Sequence, residues 1–203
     1  IKKSKAIKQT FIYTTLPQRY GHMAGVPKYE KLSNLNIVRF YTPEHKNSFF
    51  GQFIAYYFFA IGAIKQAYVN RKNYDTIFAT SSRLGTGFLG YLVSKITRKP
   101  LFLDIRDIFS DNLSSLPFFK GFLGGTLVKL FSRIETRIVS HAKWVNFVSP
   151  GFLKYSHIKK LGKKIHLFTN GIDDIFVKNK KTISQILKKN VEKKSITITY
   201  AGN

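Results

Sequence analysis

A guanidinium and two carboxylates follow one apolar run of this 203-residue chain. The run Leu101–Ile105 is short and apolar, which predicts a buried strand. After it come Arg106, Asp107 and Asp111. Because parallel α/β sheets bind ligands at the carboxyl ends of their strands, Asp107 is the first candidate for a catalytic base or an electrostatic orienter. Asp111 is the second candidate for the base, and Arg106 would orient Asp107 or meet a phosphate. The alternative is that Arg106 and Asp107 pair with each other and cap the next helix.

Two hydroxyl groups stand at the end of another predicted strand. Ser81 and Ser82 follow the run Thr76–Thr80 and precede a helical pattern. Hydroxyls and free N–H groups at such a junction suit an anionic or hydroxylated ligand, and an ordinary helix cap is the alternative. Ser81, Ser82 and the neighbouring Arg83 are therefore candidate substrate-binding residues.

Three glycines match the G-x-G-x-x-G pattern of dinucleotide-binding sites, namely Gly85, Gly87 and Gly90. Asp104 lies at a suitable distance downstream for a ribose contact, so the pattern would indicate a nucleotide-cofactor oxidoreductase. However, the first glycine should follow its strand closely, so that the pyrophosphate reaches the helix N-terminus. Here residues 81–84 intervene. The alternative is that the small residues let the helix pack closely on the sheet.

The chain is strongly basic, with 34 Lys and Arg residues against 10 Asp and Glu residues and a formal net charge of +24. Such a surface attracts nucleic acid, anionic lipid or phosphorylated substrates, although a base composition that favours lysine codons would also produce it. A basic nucleic-acid-binding module is the alternative of a different class. The sequence shows no signature of such modules, and its aromatic residues lie in apolar runs, so we predict no nucleic-acid partner.

No metal or cofactor is expected. The chain has no cysteine, and its five histidines show no metal-ligand spacing. Its hydrophobic fraction of 44% is enough for a globular core.

Short runs rich in β-branched or aromatic residues predict seven strands. They are Thr10–Thr15, Asn36–Tyr41, Thr76–Thr80, Leu101–Ile105, Trp144–Val148, Ile165–Phe168 and Ile196–Tyr200. Between the later ones, apolar residues recur with helical spacing at 84–96 and 123–138, and Pro150 opens a further helical candidate over Gly151–Leu161. This alternation predicts an α/β fold with a Rossmann-like parallel sheet flanked by helices.

Two apolar segments could meet a lipid surface. Phe49–Ile64 is the most apolar and is shorter than the roughly 20 residues that a spanning helix needs. A buried helix is the favoured interpretation, and an interfacial helix is the alternative because the segment holds five Phe and two Tyr. Leu116–Leu123 is the second candidate for lipid contact. By contrast, Leu16–Ser33 is rich in Pro and Gly and predicts a long loop.

Several motifs occur in an order that is typical of one enzyme family. They are Ala79–Ser82 with Thr86 and Gly87, Lys99–Asp111, Val148–Phe152, Phe168–Phe176 and Ile198–Asn203. Together they resemble the acceptor-side domain of family 4 glycosyltransferases, and most of all the branch that transfers amino-sugars in O-antigen and capsule synthesis. The resemblance covers residues 76–203, and residues 10–75 fit more loosely.

The resemblance implies a GT-B fold, in which two Rossmann-like domains face each other across a cleft. The first domain holds the acceptor and the second holds the nucleotide sugar. Residues 1–177 would form the acceptor-side domain without its first strand, and residues 178–203 would form a linker and the first strand of a truncated donor domain. The implied activity is retaining sugar transfer without a cofactor. The chain by itself, lacking the donor site, is expected to be inactive.

The resemblance also implies site residues and partners. Asn170, Gly171 and Asp173 match the family's Asn-Gly-Val/Ile-Asp signature and are further candidates for substrate binding, whereas Phe109-Ser110 stands where the family has Trp-Pro. The partners would be a nucleotide-sugar donor, a polyprenyl-diphosphate-linked or glycan acceptor, and an anionic membrane surface. The expected location is cytoplasmic, peripheral at the inner face of a bacterial plasma membrane.

Overall fold

The computed structural model describes residues 7–17, 25–44, 49–81, 84–108, 122–154 and 165–171. The chain divides into two compact units, Ile1–Phe168 and Thr169–Asn203. The described strands and helices all belong to the first unit. They are β1 (Thr10–Thr15), β2 (Tyr29–Leu32), β3 (Leu35–Phe40), α1 (Phe49–Val69), β4 (Ile77–Ser81), α2 (Leu84–Thr97), β5 (Leu101–Ile105), α3 (Phe122–His141), β6 (Trp144–Phe147), a 3₁₀ turn (Pro150–Lys154) and β7 (Ile165–Leu167).

The later strands form a four-stranded sheet of order β4-β5-β6-β7, in which every neighbouring pair is parallel. The earlier strands form a three-stranded sheet of order β1-β3-β2, in which β1 and β3 are parallel. Helices α2 and α3 connect the parallel pairs β4-β5 and β5-β6, as parallel pairing requires, and α1 connects β3 of the smaller sheet to β4 of the larger one. The prediction of an α/β fold with a parallel sheet flanked by helices is therefore confirmed.

One strand was not predicted. β2 lies inside Leu16–Ser33, the segment that the sequence predicts as a loop, and pairs antiparallel with β3. Ser33 has a φ of 53°, in the left-handed region that a tight connection between the two strands uses. A salt bridge between the two strands stabilises the pair, since Nη2 of Arg39 lies 2.7 Å from Oε2 of Glu30. The residues of β2 are mostly polar and exposed, so they lack the apolar pattern of a strand.

Two other predicted elements differ or fall outside the described residues. The helix predicted over Gly151–Leu161 is a 3₁₀ turn over Pro150–Lys154 where the structure describes it, and residues 155–164 lie outside the description. The strand predicted at Ile196–Tyr200 also lies outside it, as does most of Leu116–Leu123.

The core lies between one face of the four-stranded sheet and helices α2 and α3. Its side chains are apolar and almost fully buried, and burial of each Val, Leu, Ile or Phe side chain contributes roughly 1.5–3 kcal/mol. They include Leu101, Leu103, Ile105, Ile138, Val139, Ala142, Val145 and Phe147. At the edge of this core, the Ser94 hydroxyl donates to the Lys99 carbonyl at 2.6 Å and lies 2.9 Å from Nε2 of His141. This contact ties the ends of α2 and α3 to the start of β5.

Gly90 of the glycine pattern allows α2 to lie directly on the sheet. A Cβ atom at this position would be 2.6 Å from the Cβ of Ala79 and 3.2 Å from Cδ1 of Leu101. Neither contact can be relieved by a flexible side-chain end, since Ala79 belongs to β4 and Leu101 is buried at the start of β5. This glycine therefore has a packing role.

The substitution Gly90→Ala should lower the free energy of unfolding by about 1–3 kcal/mol, the usual cost of overpacking. Urea titration would measure it. The matched control is Gly125→Ala in α3, where a Cβ atom meets nothing within 4 Å and where alanine should stabilise the helix by up to about 1 kcal/mol. Equal effects of the two substitutions would contradict the packing role of Gly90.

Candidate functional site

A row of polar side chains crosses the four-stranded sheet near its carboxyl edge. Thr80 of β4 is in register with Asp104 of β5, and Asp104 is in register with Asn146 of β6. Since neighbours in register point to the same face, these side chains lie side by side. Asp104 and Asn146 are buried, so their polar atoms must be satisfied by one another and by nearby groups.

Asp104 is the centre of this polar row. Its Oδ2 accepts hydrogen bonds from the Thr80 hydroxyl at 3.0 Å and from Nε of Arg106 at 3.2 Å. Its Oδ1 accepts one from Nδ2 of Asn146 at 2.6 Å. A buried carboxylate is costly unless it is paired and hydrogen-bonded, and here both oxygens have partners. Sequence analysis does not predict this row, and it singles out Asp104 only for its distance from the glycines.

Asn146 extends the row to the end of β7. Its Oδ1 accepts a hydrogen bond from the backbone N–H of Phe168 at 2.7 Å, and its Nδ2 also approaches the Phe168 carbonyl at 3.2 Å. The side-chain amide thus takes the place of a neighbouring backbone amide. The carboxyl ends of all four strands are consequently held by one hydrogen-bonded row.

Arg106 follows β5 and projects from this row. Its Nε also donates to the Thr80 hydroxyl at 3.1 Å, and its side chain is half exposed. Within the described part of the chain its ion-pair partner is Asp104. Nε is engaged by the polar row, whereas the two Nη groups make no hydrogen bond to the described residues, and such a planar fork suits a phosphate or carboxylate.

Asp107 comes next and is exposed at the carboxyl end of β5. It lines a cavity between β5, α2 and α3, together with Leu84, Gly87 and Glu135. Glu135, an acidic residue, is buried. Sequence reasoning did not select Glu135. The available signal was a carboxylate next to Ile134, inside the apolar stripe of α3. Asp107 is exposed at this edge, and its catalytic role stays a prediction.

Tyr56 of α1 fixes the start of α2 beside this cavity. Its hydroxyl donates to the Gly85 carbonyl at 2.6 Å, and its ring occupies the space that a Cβ atom of Gly85 would need. Burial raises the pKa of Tyr56 above its ordinary value, so the phenol keeps its proton for this hydrogen bond. The space beside Gly85, like the space beside Gly90, is thus filled by other side chains of the protein.

No family model and no curated protein matches the chain. Similar solved structures are those of Anabaena Alr3699/HepE. The complex with UDP-glucose is 17% identical, with a TM-score of 0.41, over 68% of this chain and 31% of HepE. The complex with UDP is 16% identical, with a TM-score of 0.43, over 77% and 37%. The chain thus spans about a third of the HepE chains it matches.

A sucrose-phosphate synthase structure from Thermosynechococcus elongatus is also similar. It is 15% identical, with a TM-score of 0.48, over 87% of this chain and 84% of that one.

The remaining predicted site residues have these positions. Ser81 is the last residue of β4, and Asn170 and Gly171 are exposed residues of the second compact unit. Ser82, Arg83, Asp111 and Asp173 lie outside the described residues. Within the described ranges, no three His, Cys, Asp or Glu side chains come together as metal ligands. The structure therefore brings Arg106 and Asp107 to one edge and adds Thr80, Asp104, Asn146 and Glu135.

Proposed function

We propose that this chain is the acceptor-side domain of a glycosyltransferase of the GT-B class. It would take part in the transfer of a sugar from a nucleotide sugar to a lipid-linked or glycan acceptor. The observation that carries this proposal is the edge of β5, where Asp107 is exposed and Arg106 is held by a buried carboxylate. The order of the family motifs along the chain supports the same function.

The chemistry assigned to this edge is positioning and proton transfer. An acceptor hydroxyl attacks the anomeric carbon of the donor from the face that the nucleoside diphosphate leaves, and Asp107 orients the hydroxyl or accepts its proton. Arg106 meets a phosphate of the lipid-linked acceptor through its exposed Nη groups. No cofactor takes part, and retention of configuration is the proposed stereochemical outcome.

The substrate class and setting are part of the proposal. We infer hexosyl or amino-sugar transfer in the synthesis of capsule or O-antigen, at the cytoplasmic face of a bacterial membrane. HepE binds UDP-glucose and UDP, ligands of the donor class proposed here, while the proposal itself rests on the motifs and on the sheet edge. The oxidoreductase alternative loses support, because Gly85, the glycine that should form the tight turn of a dinucleotide site, lies inside α2 with the ring of Tyr56 against it.

The test is an assay of the full-length protein with a panel of UDP-sugars and a polyprenyl-diphosphate-linked glycan, with products identified by mass spectrometry. Transfer of one sugar to the lipid-linked glycan is the expected result.

Binding of the acceptor by the present chain would be measured in parallel, and Arg106→Ala should weaken this binding about tenfold, because one charge-assisted contact is lost. Arg133→Ala, an exposed position on α3, is the matched control. Saturable binding of NAD or NADP in place of sugar transfer would overturn the proposal.

A further inference from the structure

Helix α1 has one face that packs on the protein. Ala55, Ala63 and Ala67 are buried along it, and Leu89 and Val93 of α2 share a core cluster with Ala63 and Ala67. Small side chains allow this close packing. The buried face therefore accounts for only one side of α1, whereas the sequence favours a buried helix over Phe49–Ile64 with an interfacial helix as the alternative.

The opposite face of α1 is apolar and exposed, which corrects that expectation. We call its seven side chains the aromatic stripe, and each is between 46% and 71% exposed. They are Phe50, Phe53, Tyr57, Phe58, Ile61, Tyr68 and Val69. From its first residue to its last the stripe extends about 28 Å along the helix, at 1.5 Å per residue. An exposed apolar surface of this kind marks a protein or membrane contact.

The charged residues of α1 and of the three residues that follow it are all basic. Lys65 is the one charged residue of α1, is exposed, and lies on the same side of the helix as the stripe. Immediately after the helix, the guanidinium of Arg71 lies 4.1 Å from the ring centre of Tyr68, and Lys72 is exposed. The whole chain carries a net charge of +24. The surface that accompanies the stripe is therefore cationic.

From this combination we infer that the aromatic stripe binds the surface of an anionic lipid bilayer, with α1 lying in the plane of the interface. Phe and Tyr side chains enter the boundary between headgroups and acyl chains, and the cations next to them attract anionic headgroups. Within the described residues, no helix is long and apolar enough to cross a membrane. This inference gives the proposed membrane location a defined binding surface.

The first test removes the apolar contact. The chain carrying Phe50→Ser, Phe53→Ser and Tyr57→Ser would be compared with the unchanged chain in co-sedimentation with vesicles of phosphatidylglycerol and phosphatidylcholine. We expect a loss of at least about tenfold in the partition coefficient, because less apolar area enters the interface. The matched control carries three equally exposed aromatic changes away from α1. They are Tyr29→Ser, Tyr41→Ser and Phe78→Ser.

The second test reverses the charge. Lys65→Glu with Lys72→Glu should weaken binding to the anionic vesicles by about tenfold or more, since each cation near such a surface contributes about 1 kcal/mol. Lys28→Glu with Lys31→Glu, two exposed positions at β2, is the control. The unchanged chain should also release the vesicles at 1 M salt, where the Debye length is about 3 Å.

Three results would overturn the inference. One is unchanged vesicle binding by the stripe variant, and another is an equal loss in the control with the three other aromatic changes. The third is a dimer of the unchanged chain that the stripe variant converts to a monomer while vesicle binding stays the same, which would assign the stripe to a second copy of the chain. These vesicles contain no sugar nucleotide and no acceptor glycan, so failure here is distinguishable from failure of the proposed sugar transfer.

Discussion

The substitution Asp107→Asn in the full-length protein is expected to lower kcat for sugar transfer by on the order of 10²-fold or more. The change removes the negative charge at the carboxyl end of β5 and preserves the shape of the side chain. Because Asp107 is exposed and makes no hydrogen bond or ion pair with the described residues, the free energy of unfolding should change by less than about 0.5 kcal/mol. Initial rates at saturating donor and acceptor would measure the effect on kcat.

The matched control for this experiment is Asp75→Asn, which alters an exposed aspartate before β4, away from the carboxyl edge. It should leave kcat unchanged. If Asp107→Asn unfolds the protein while activity per folded molecule stays the same, Asp107 is a structural cap and the assignment is wrong.

The substitution Asp104→Asn should destabilise the protein by about 2–3 kcal/mol. The carboxylate accepts from Thr80 and Arg106 on one side and from Asn146 on the other. An asparagine has one oxygen and one NH₂ group, so a donor would face a donor on one of these sides and a buried polar group would be left without a partner. The loss would be measured by urea unfolding of the present chain.

Two comparisons make the Asp104 experiment specific. Asp75→Asn should change stability by less than about 0.5 kcal/mol, as an exposed substitution usually does. Combining Asp104→Asn with Asn146→Ala should cost less than the sum of the two single changes, because the two side chains share a hydrogen bond. Strict additivity of the two changes would show that the polar row does not act as a unit.

Much of the fold could be predicted because its strands are short apolar runs. Thr10–Thr15 and Leu101–Ile105 have the predicted bounds, and every residue of β5 except Phe102 is buried. β2 was missed because its stability comes from pairing with β3 and from the Arg39–Glu30 ion pair. These contacts are made between segments and leave no periodic pattern in the sequence.

The site was predictable only in part, for a similar reason. The motif around Asp107 is contiguous in the sequence, so its position at the end of β5 could be inferred from the strand alone. The polar row joins Thr80, Asp104 and Asn146, which become neighbours only when the register of three strands is known. The sequence also could not show which side of α1 is exposed, because the residues of this helix are apolar on all sides and their pattern does not distinguish the face that packs on the protein.

The hairpin of β2 and β3 has a consequence for the order in which the chain folds. Its two strands are joined by Ser33 and Asn34 alone, so their pairing closes a very short loop, and such hairpins form in about 1–10 μs. In the four-stranded sheet, by contrast, a long connecting segment separates the two strands of each parallel pair. Closing such a long loop has a higher entropy cost, which slows the formation of these pairs. The hairpin that the sequence does not reveal is therefore the part of the sheet structure that can form earliest, before β1 joins it.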